Sequence, residues 1–530
     1  MYRILKADKD SYICNKIIQS SRPSLSSSID SNVGQAGTID LYKLYNETSP
    51  TSGIELSRGL VHFNLDPLRA LTGSILNPSD SSFKCYLNLK NVYGGQPVPS
   101  NYTLSVFPLA KDWAEGRGND VIAYRDLDVV NWYTASLNPS SVMWTSGGIG
   151  YGSDSSNNSA DYYTFFSSST GYVPLEFTQA FYRGDEDLNI EVTPVIKHIL
   201  AGDLPDYGFR LSFTSSQETD SLTRFVKRFS TRQSRNTNLH PSLVVKYDDT
   251  FVDNQSNLYL DYANKIGTYF APFGYPTNFQ NNDGSFVSGS GSLMLELHGS
   301  QSQYVTTSSF SISHNKVISY LSASWVYFST SFTGSQIKRG GLFETGSYYA
   351  EVYLPKSAEG LSGVLDSSGR ATLTPIWKST DGAFIFDTGA PLTFQPLASK
   401  NNIGSARNYA TNITNLKDVY ISTDVARLRV FVMDYDPTLT SFYLPYMSTS
   451  KIFKESYWRV IDPYTKEVLI PFDIETKGTK MSVDGEGMYF DLYMEDLPVN
   501  RPLEIEILLK DFGADYFVEK QGFLFKVIKS

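Results

Sequence analysis

The stretch "LNIEVTPVIKHILAGDLPDYGFRLSF", residues 188–213, places one helical signal between two strand-like ones. Thr193 can cap, Pro194 suits the first helical turn, and Val195, Ile196, Ile199 and Leu200 share one apolar face. Gly202 then offers a left-handed stop. Before and after it the period returns to two, with Leu188 and Ile190 on one side and Phe209, Leu211 and Phe213 on the other. A lone short helix inside a β pattern reads as a plug at the end of a sandwich, so the sequence predicts a helix near 193–201 flanked by strands.

The same strand rhythm extends outward. "SRGLVHFNL" (57–65), "SFKCYLNLKNVYG" (82–94) and "NYTLSVFPL" (101–109) are apolar or alternating runs bounded by Gly, Asn, Asp, Ser and Pro. This pattern predicts an all-β fold of tandem β-sandwich domains. A chain of 530 residues exceeds what one core usually supports. We expect a jelly-roll-like first domain over 1–250, closing with "HPSLVVKYD", and a second β-sandwich over 251–412. An immunoglobulin-like C-terminal domain over 413–530 should follow, opened by "NLKDVYISTDVARLRVFVMDYDP". The run "DGSFVSGSGS" (283–292) reads as a hairpin-forming loop, because the strand-like "LMLELHG" follows at once.

Charge and composition exclude several functions. The net charge is −10 with no acidic block, which disfavours a general nucleic-acid partner. Yet "RFVKRFSTRQSR" (224–235) gathers Arg224, Lys227, Arg228, Arg232 and Arg235. As a strand it would put Phe225, Lys227 and Phe229 on one face and Arg224, Val226 and Arg228 on the other, so the cations cannot form one exposed stripe. Glu218, Asp220, Asp248 and Asp249 lie close enough in sequence to neutralise them. Arg232 and Arg235, in the following loop, are the candidate interface residues for an acidic neighbour in an assembly.

Cys14 and Cys85 are the only cysteines and suggest free thiols and folding in a reducing compartment. The amino terminus has no apolar signal-peptide core, and no run of 18 apolar residues occurs, so neither export nor a membrane partner is expected. The 36 Tyr and 32 Phe, among abundant Ser, Thr, Asn and Gly, nevertheless give the look of an adhesive protein built for the outside. Assembly in a host cytoplasm and release by lysis reconciles these features, and points to a virion component.

No motif of fixed catalytic spacing is present: no Walker loop, HExxH, GxSxG or complete EF loop, so catalytic residues and cofactors are not expected. His62, His198, His240, His298 and His314 are scattered singly. "SGGIGYGS" (146–153) resembles a phosphate loop but has no strand before it and no helix after it. Asp120, Asp126 and Asp128 offer oxygens to calcium only if their loop folds back, and turn-forming aspartates are the plainer reading. Trp132, Tyr133 and Trp144 are candidate glycan-stacking or interface aromatics.

Three stretches of the first half carry a resemblance. "NVGQAGTIDLY" (32–42) with "SRGLVHFNLDPL" (57–68), then 188–213, then "FSTRQSRNTNLHPSLVVKYD" (229–248) resemble the DNRLRE-type β-sandwich modules of bacterial surface proteins and some phage proteins. Gln233 stands where that family often has an acid and His240 where it often has an Arg. Over its whole length the chain also resembles the virion structural proteins of tailed bacteriophages of the large myovirus type. The resemblance implies a non-enzymatic structural component on the particle exterior, at neck, collar, tail or head surface. Its partners would be other virion proteins and further copies of itself in a symmetric assembly. The alternative is a carbohydrate-binding or host-adhesion module contacting host-surface glycan; a polysaccharide depolymerase ranks third and needs two suitably spaced carboxylates.

Overall fold

The computed structural model describes residues 1–19, 25–27, 29–50, 52–73, 75–95, 97–122, 126, 128–137, 141–168, 171–254, 257–313, 316–396, 409–434, 450–510 and 517–529. The protein is all-β, built from tandem β-sandwich units, with the longest helix at Thr193–Ala201.

In the first unit a 10-stranded sheet runs in the order Phe177–Phe181, Tyr102–Pro108, Phe209–Phe213, Ile54–Phe63, Tyr2–Cys14, Ser242–Lys246, Lys84–Leu89 and Leu188–Glu191. Thr38–Tyr45 joins it beside Ile54–Phe63 and pairs on its other side with Arg224–Ser230. Strand Tyr2–Cys14 serves two layers. Its first half pairs with Ser242–Lys246 and its second half with Ile54–Phe63, and the register shifts between Ala7 and Lys9 where it turns from one to the other. One core lies between the layers and includes Leu41, Val61, Phe63, Leu87, Leu104, Phe213 and Leu243.

The helix plugs this core with Val195, Ile196 and Ile199, and Gly202 ends it at φ 82°. Thr193 does not cap it. The cap position is Val192, and the Thr193 hydroxyl instead accepts the Cys85 N–H at 2.9 Å and donates to Glu191, tying the helix to the neighbouring strands.

The middle unit is an 8-stranded sheet ordered Leu258–Tyr259, Leu392–Gln395, Ala371–Lys378, Leu293–Ser313, Lys316–Arg339, Leu342–Tyr353 and Ala263–Tyr269, with Ile385–Thr388 off Ala371–Lys378. Leu293 opens its strand directly after the Gly/Ser run, whose Phe286 bridges back to Gln280. The last unit is a sandwich of a 4-stranded and a 5-stranded sheet. Trp458 of one sheet stacks on Phe490 of the other, 4.8 Å between ring centroids. Its first strand is Tyr409–Ile413, paired with Val425–Asp434, so the unit starts before residue 413.

The units are joined by buried contacts. Tyr2, Ile4 and Val244 turn away from the first core and enter that of the last unit. Arg3 Nε donates to Asp496 at 2.9 Å, both side chains nearly fully buried. The turn at Gly340 and Gly341 docks on residues 75–80, where Asn77 N–H donates to the Gly340 carbonyl. A Cβ on Gly340 would lie 1.8 Å from the Ile75 oxygen, and its φ is 53°, so only glycine fits that approach.

Candidate functional site

The basic stretch shows how the chain handles its own charge. Arg224–Ser230 pairs with Thr38–Tyr45, but the register shifts between Arg224 and Lys227, so the simple alternation of faces expected from the sequence is interrupted. Lys227 is completely buried, its ammonium donating to the carbonyls of Gly184 and Glu186 and to Asn91 Oδ1. That burial lowers its pKa to about 8. Arg224 pairs with Asp220 at 2.6 Å and Arg228 with Asp40 at 3.0 Å. Of the four acids close in sequence, only Asp220 serves this stretch. Glu218 grips Arg58 through two bonds, of 2.9 and 2.7 Å, Asp248 faces Lys477, and Asp249 takes the amino terminus.

The two interface candidates separate. Arg232 is bound within the chain: its guanidinium pairs with Glu115, and its amide donates to Asp10 Oδ2 at 2.6 Å. Glu115 Oε1 in turn accepts the Asp10 amide at 2.8 Å. Burial pushes the Asp10 carboxyl up to about 7, with Glu115 adding to the shift against the Arg232 amide and guanidinium. Arg235 is exposed, and among the described residues it forms no ion pair. The cluster therefore presents one open cation rather than a stripe that could follow a phosphate backbone.

The aromatics also separate. Trp144 is 5% exposed, packs with Trp113, Val130 and Ile149, and donates its indole N–H to the Asn131 carbonyl at 3.1 Å. Trp132 is half-buried against the same cluster, with the Arg58 guanidinium 5.7 Å from its ring. Tyr133 alone is open, at 49%. Of the candidate glycan or interface aromatics, Trp144 and Trp132 thus belong largely to a structural core. More prominent exposed rings are Tyr93, Tyr182, Tyr275, Tyr327 and Tyr464, spread over all three units. Sequence reasoning passed over them because single tyrosines in polar turns carry no periodic signal.

The glycine-rich loop is an anion nest filled by the chain itself. The amides of Thr145, Ser146 and Tyr151 converge on the buried Asp161 carboxylate, at 2.7, 3.1 and 3.1 Å, and Lys111 joins them at 2.8 Å. Asp120 accepts the Ile122 amide in a turn. Among the described residues no group of three or more His, Cys, Asp or Glu could hold a metal ion. His62 lies between Asp8 and Asp206, His198 bonds Asp203, His240 faces the Ser234 carbonyl and His298 lies against Glu296; His314 is outside the described residues. Cys14 and Cys85 form no disulfide with each other; both are buried, in different apolar clusters.

No family model matches the chain, and no curated protein matches it. Among solved structures it is similar to the fibronectin(III)-like modules of CbhA from Clostridium thermocellum, at 10% identity, over 53% of this chain and 91% of the other, with a TM-score of 0.14. It is similar also to a calcium-stabilised, ice-binding adhesin of an Antarctic bacterium, at 9% identity, over 99% and 91% of the two chains, again with a TM-score of 0.14. A third similarity is to Salmonella alpha-2-macroglobulin, at 10% identity over 99% of this chain and 40% of that one, with a TM-score of 0.14. Superpositions of that quality carry no argument, and the sandwich architecture stands on the strand pairing and cores described above.

Proposed function

We propose that the protein is a non-enzymatic structural component of a tailed-phage virion, placed on the particle exterior and working through protein–protein interfaces with other virion proteins and with copies of itself. The observation that carries this reading is a β-arm in the middle unit. Leu293–Ser313 and Lys316–Arg339 pair from Leu293 with Gly334 to Ser313 with Lys316, with a register shift between Thr307 and Ser311. Outer strands flank only the base: Ala371–Lys378 reaches His298, and Leu342–Tyr353 begins its pairing at Gly334. Beyond that, some 15 residues of each strand, about 50 Å, pair only with each other among the described residues. Two-stranded ribbons are marginal in water on their own, and unpaired strand edges invite another chain. An arm of this length on an otherwise welded block suits docking into a neighbouring subunit.

The welded block supports the same reading, since buried unit junctions give the rigidity that a particle component needs. The test is mass spectrometry of purified particles, followed by labelling of this chain in particle images. A stoichiometric, repeating label on the outside is expected. Absence of the chain from intact particles would overturn the proposal.

A further inference from the structure

Where the three units meet, a cleft of about 370 Å³ is lined by Lys265, Lys338, Lys477 and Lys480 together with Asp80 and Asp248. Four lysines against two aspartates leave two positive charges uncancelled, in a chain whose net charge is −10. The carboxylates are already shared out. Asp80 accepts from Lys338 at 2.9 Å and from the Ser82 amide and hydroxyl; Asp248 accepts from the Thr250 amide and hydroxyl and lies 3.5 Å from Lys477. Lys265 is 3.4 Å from Glu351, whose side chain is exposed. Lys480 is half-buried, and among the described residues its ammonium has neither an ion pair nor a hydrogen bond. Burial first, and then the neighbouring Lys477, depress its pKa against the opposing pull of Asp248 and Glu455, so the nearby carboxylates do not fully compensate this cation.

An unpaired, partly desolvated ammonium is costly, and an anion seated beside it relieves both the burial and the repulsion from Lys477. The volume admits a phosphate or a pyrophosphate, whereas a nucleic-acid backbone needs an extended basic track. We propose that this cleft binds a small multivalent oxyanion of the phosphate class, held by Lys477 and Lys480, which ties the last unit to the middle one. Lys477 and Lys480 come from the last unit and Lys265 and Lys338 from the middle one, so the anion would bridge these two. The inference does not depend on the virion reading.

Thermal unfolding of the full chain tests it, comparing sodium phosphate, sodium pyrophosphate and sodium chloride at matched ionic strength. Phosphate should raise the midpoint above chloride by about 1–3 °C, and pyrophosphate by more. Lys480→Met should lose that increment while keeping the chloride midpoint of the wild type or exceeding it. Equal wild-type midpoints in phosphate and chloride overturn the proposal, as does an increment that Lys480→Met retains. Should that variant fail to fold, Lys477→Gln is read the same way. In either case phosphorus NMR of inorganic phosphate with the wild-type chain must show line broadening, and its absence overturns the proposal independently.

Discussion

Two antiparallel strand pairs of this protein differ in what surrounds them. In the pair of Tyr2–Lys6 with Ser242–Lys246 both faces are buried: Leu5, Leu243 and Val245 fill the first core, while Tyr2, Ile4 and Val244 fill that of the last unit. In the arm, past the pair of Gly299 with Phe328, the strands pair only with each other among the described residues. The first pair gains from apolar burial on both sides, which makes it a weld. The second has no further strand partner among the described residues, which is why we propose that its use lies with a partner. The contrast sets a part welded by burial on both faces against a part that, in the proposed function, docks into a neighbour.

The weld should break most severely at Arg3. Removing the guanidinium strands a buried Asp496 carboxylate, so Arg3→Met is expected to cost about 3–5 kcal/mol in urea unfolding. The double variant Arg3→Met/Asp496→Leu should recover most of that loss, because no charge then remains unpaired. A single variant as stable as the wild type would show that the junction bears no load.

Beyond its kink the same strand carries Asp10, and there the effect is smaller and depends on pH. Its folded pKa is raised to about 7, above the unfolded carboxylate range, so the folded chain binds that proton more tightly. The stabilisation is complete below about pH 4 and declines as pH rises through 7. Asp10→Asn keeps an acceptor for the Arg232 amide and removes the titration. It should flatten the fall of the urea midpoint between those limits and stabilise the chain near neutral pH by on the order of 1–2 kcal/mol. An unchanged pH profile in Asp10→Asn would assign the slope to other groups, such as His62, whose pKa Asp8 raises against the effect of burial.

The helix at 193–201 was legible because Pro194 and Gly202 act locally, and so was the strand rhythm, because alternation is local too. The charge partners were not, because topology chooses them. Asp40 reaches Arg228 across 188 positions and Glu115 reaches Arg232 across 117, while the nearer Asp248 and Asp249 serve Lys477 and the amino terminus. The weld was hidden for a related reason: an alternating strand reads as half-buried, and nothing local reveals a second sandwich against its outer face. Trp144 looked exposed among Gly, Ser and Asn. Those residues instead form the loop that folds onto Asp161 and brings Ile149 into the cluster around the indole.

Within the loop that leaves Arg224–Ser230, the two arginines repeat the contrast on a smaller scale. Arg232→Ala loses a partly exposed pair with Glu115 and should destabilise the chain by about 1 kcal/mol. Arg235→Ala, with no ion pair among the described residues, should stay within about 0.5 kcal/mol of the wild type. Incorporation into particles reads the other half of the comparison: Arg235→Ala should impair it while leaving the chain folded. Normal incorporation of that variant would remove Arg235 from the interface.

The largest excision should also cost the fold little. Gln301 and Val326 face each other in the arm's register, so residues 302–325 can be replaced by Asn-Gly, a two-residue turn suited to closing such a pair. The excised strands make no pairing to the rest of the chain among the described residues, and the base keeps its neighbours Ala371–Lys378 and Leu342–Tyr353. The trimmed chain should therefore unfold within about 1 kcal/mol of the wild type, since distant segments without shared contacts contribute separately. If the arm docks into a neighbour, the same chain should fail to enter particles and should not compete with the wild type during assembly. A trimmed chain that unfolds several kcal/mol more easily would mean that the arm packs back on its own molecule. One that assembles normally would leave the welded block to do the work alone.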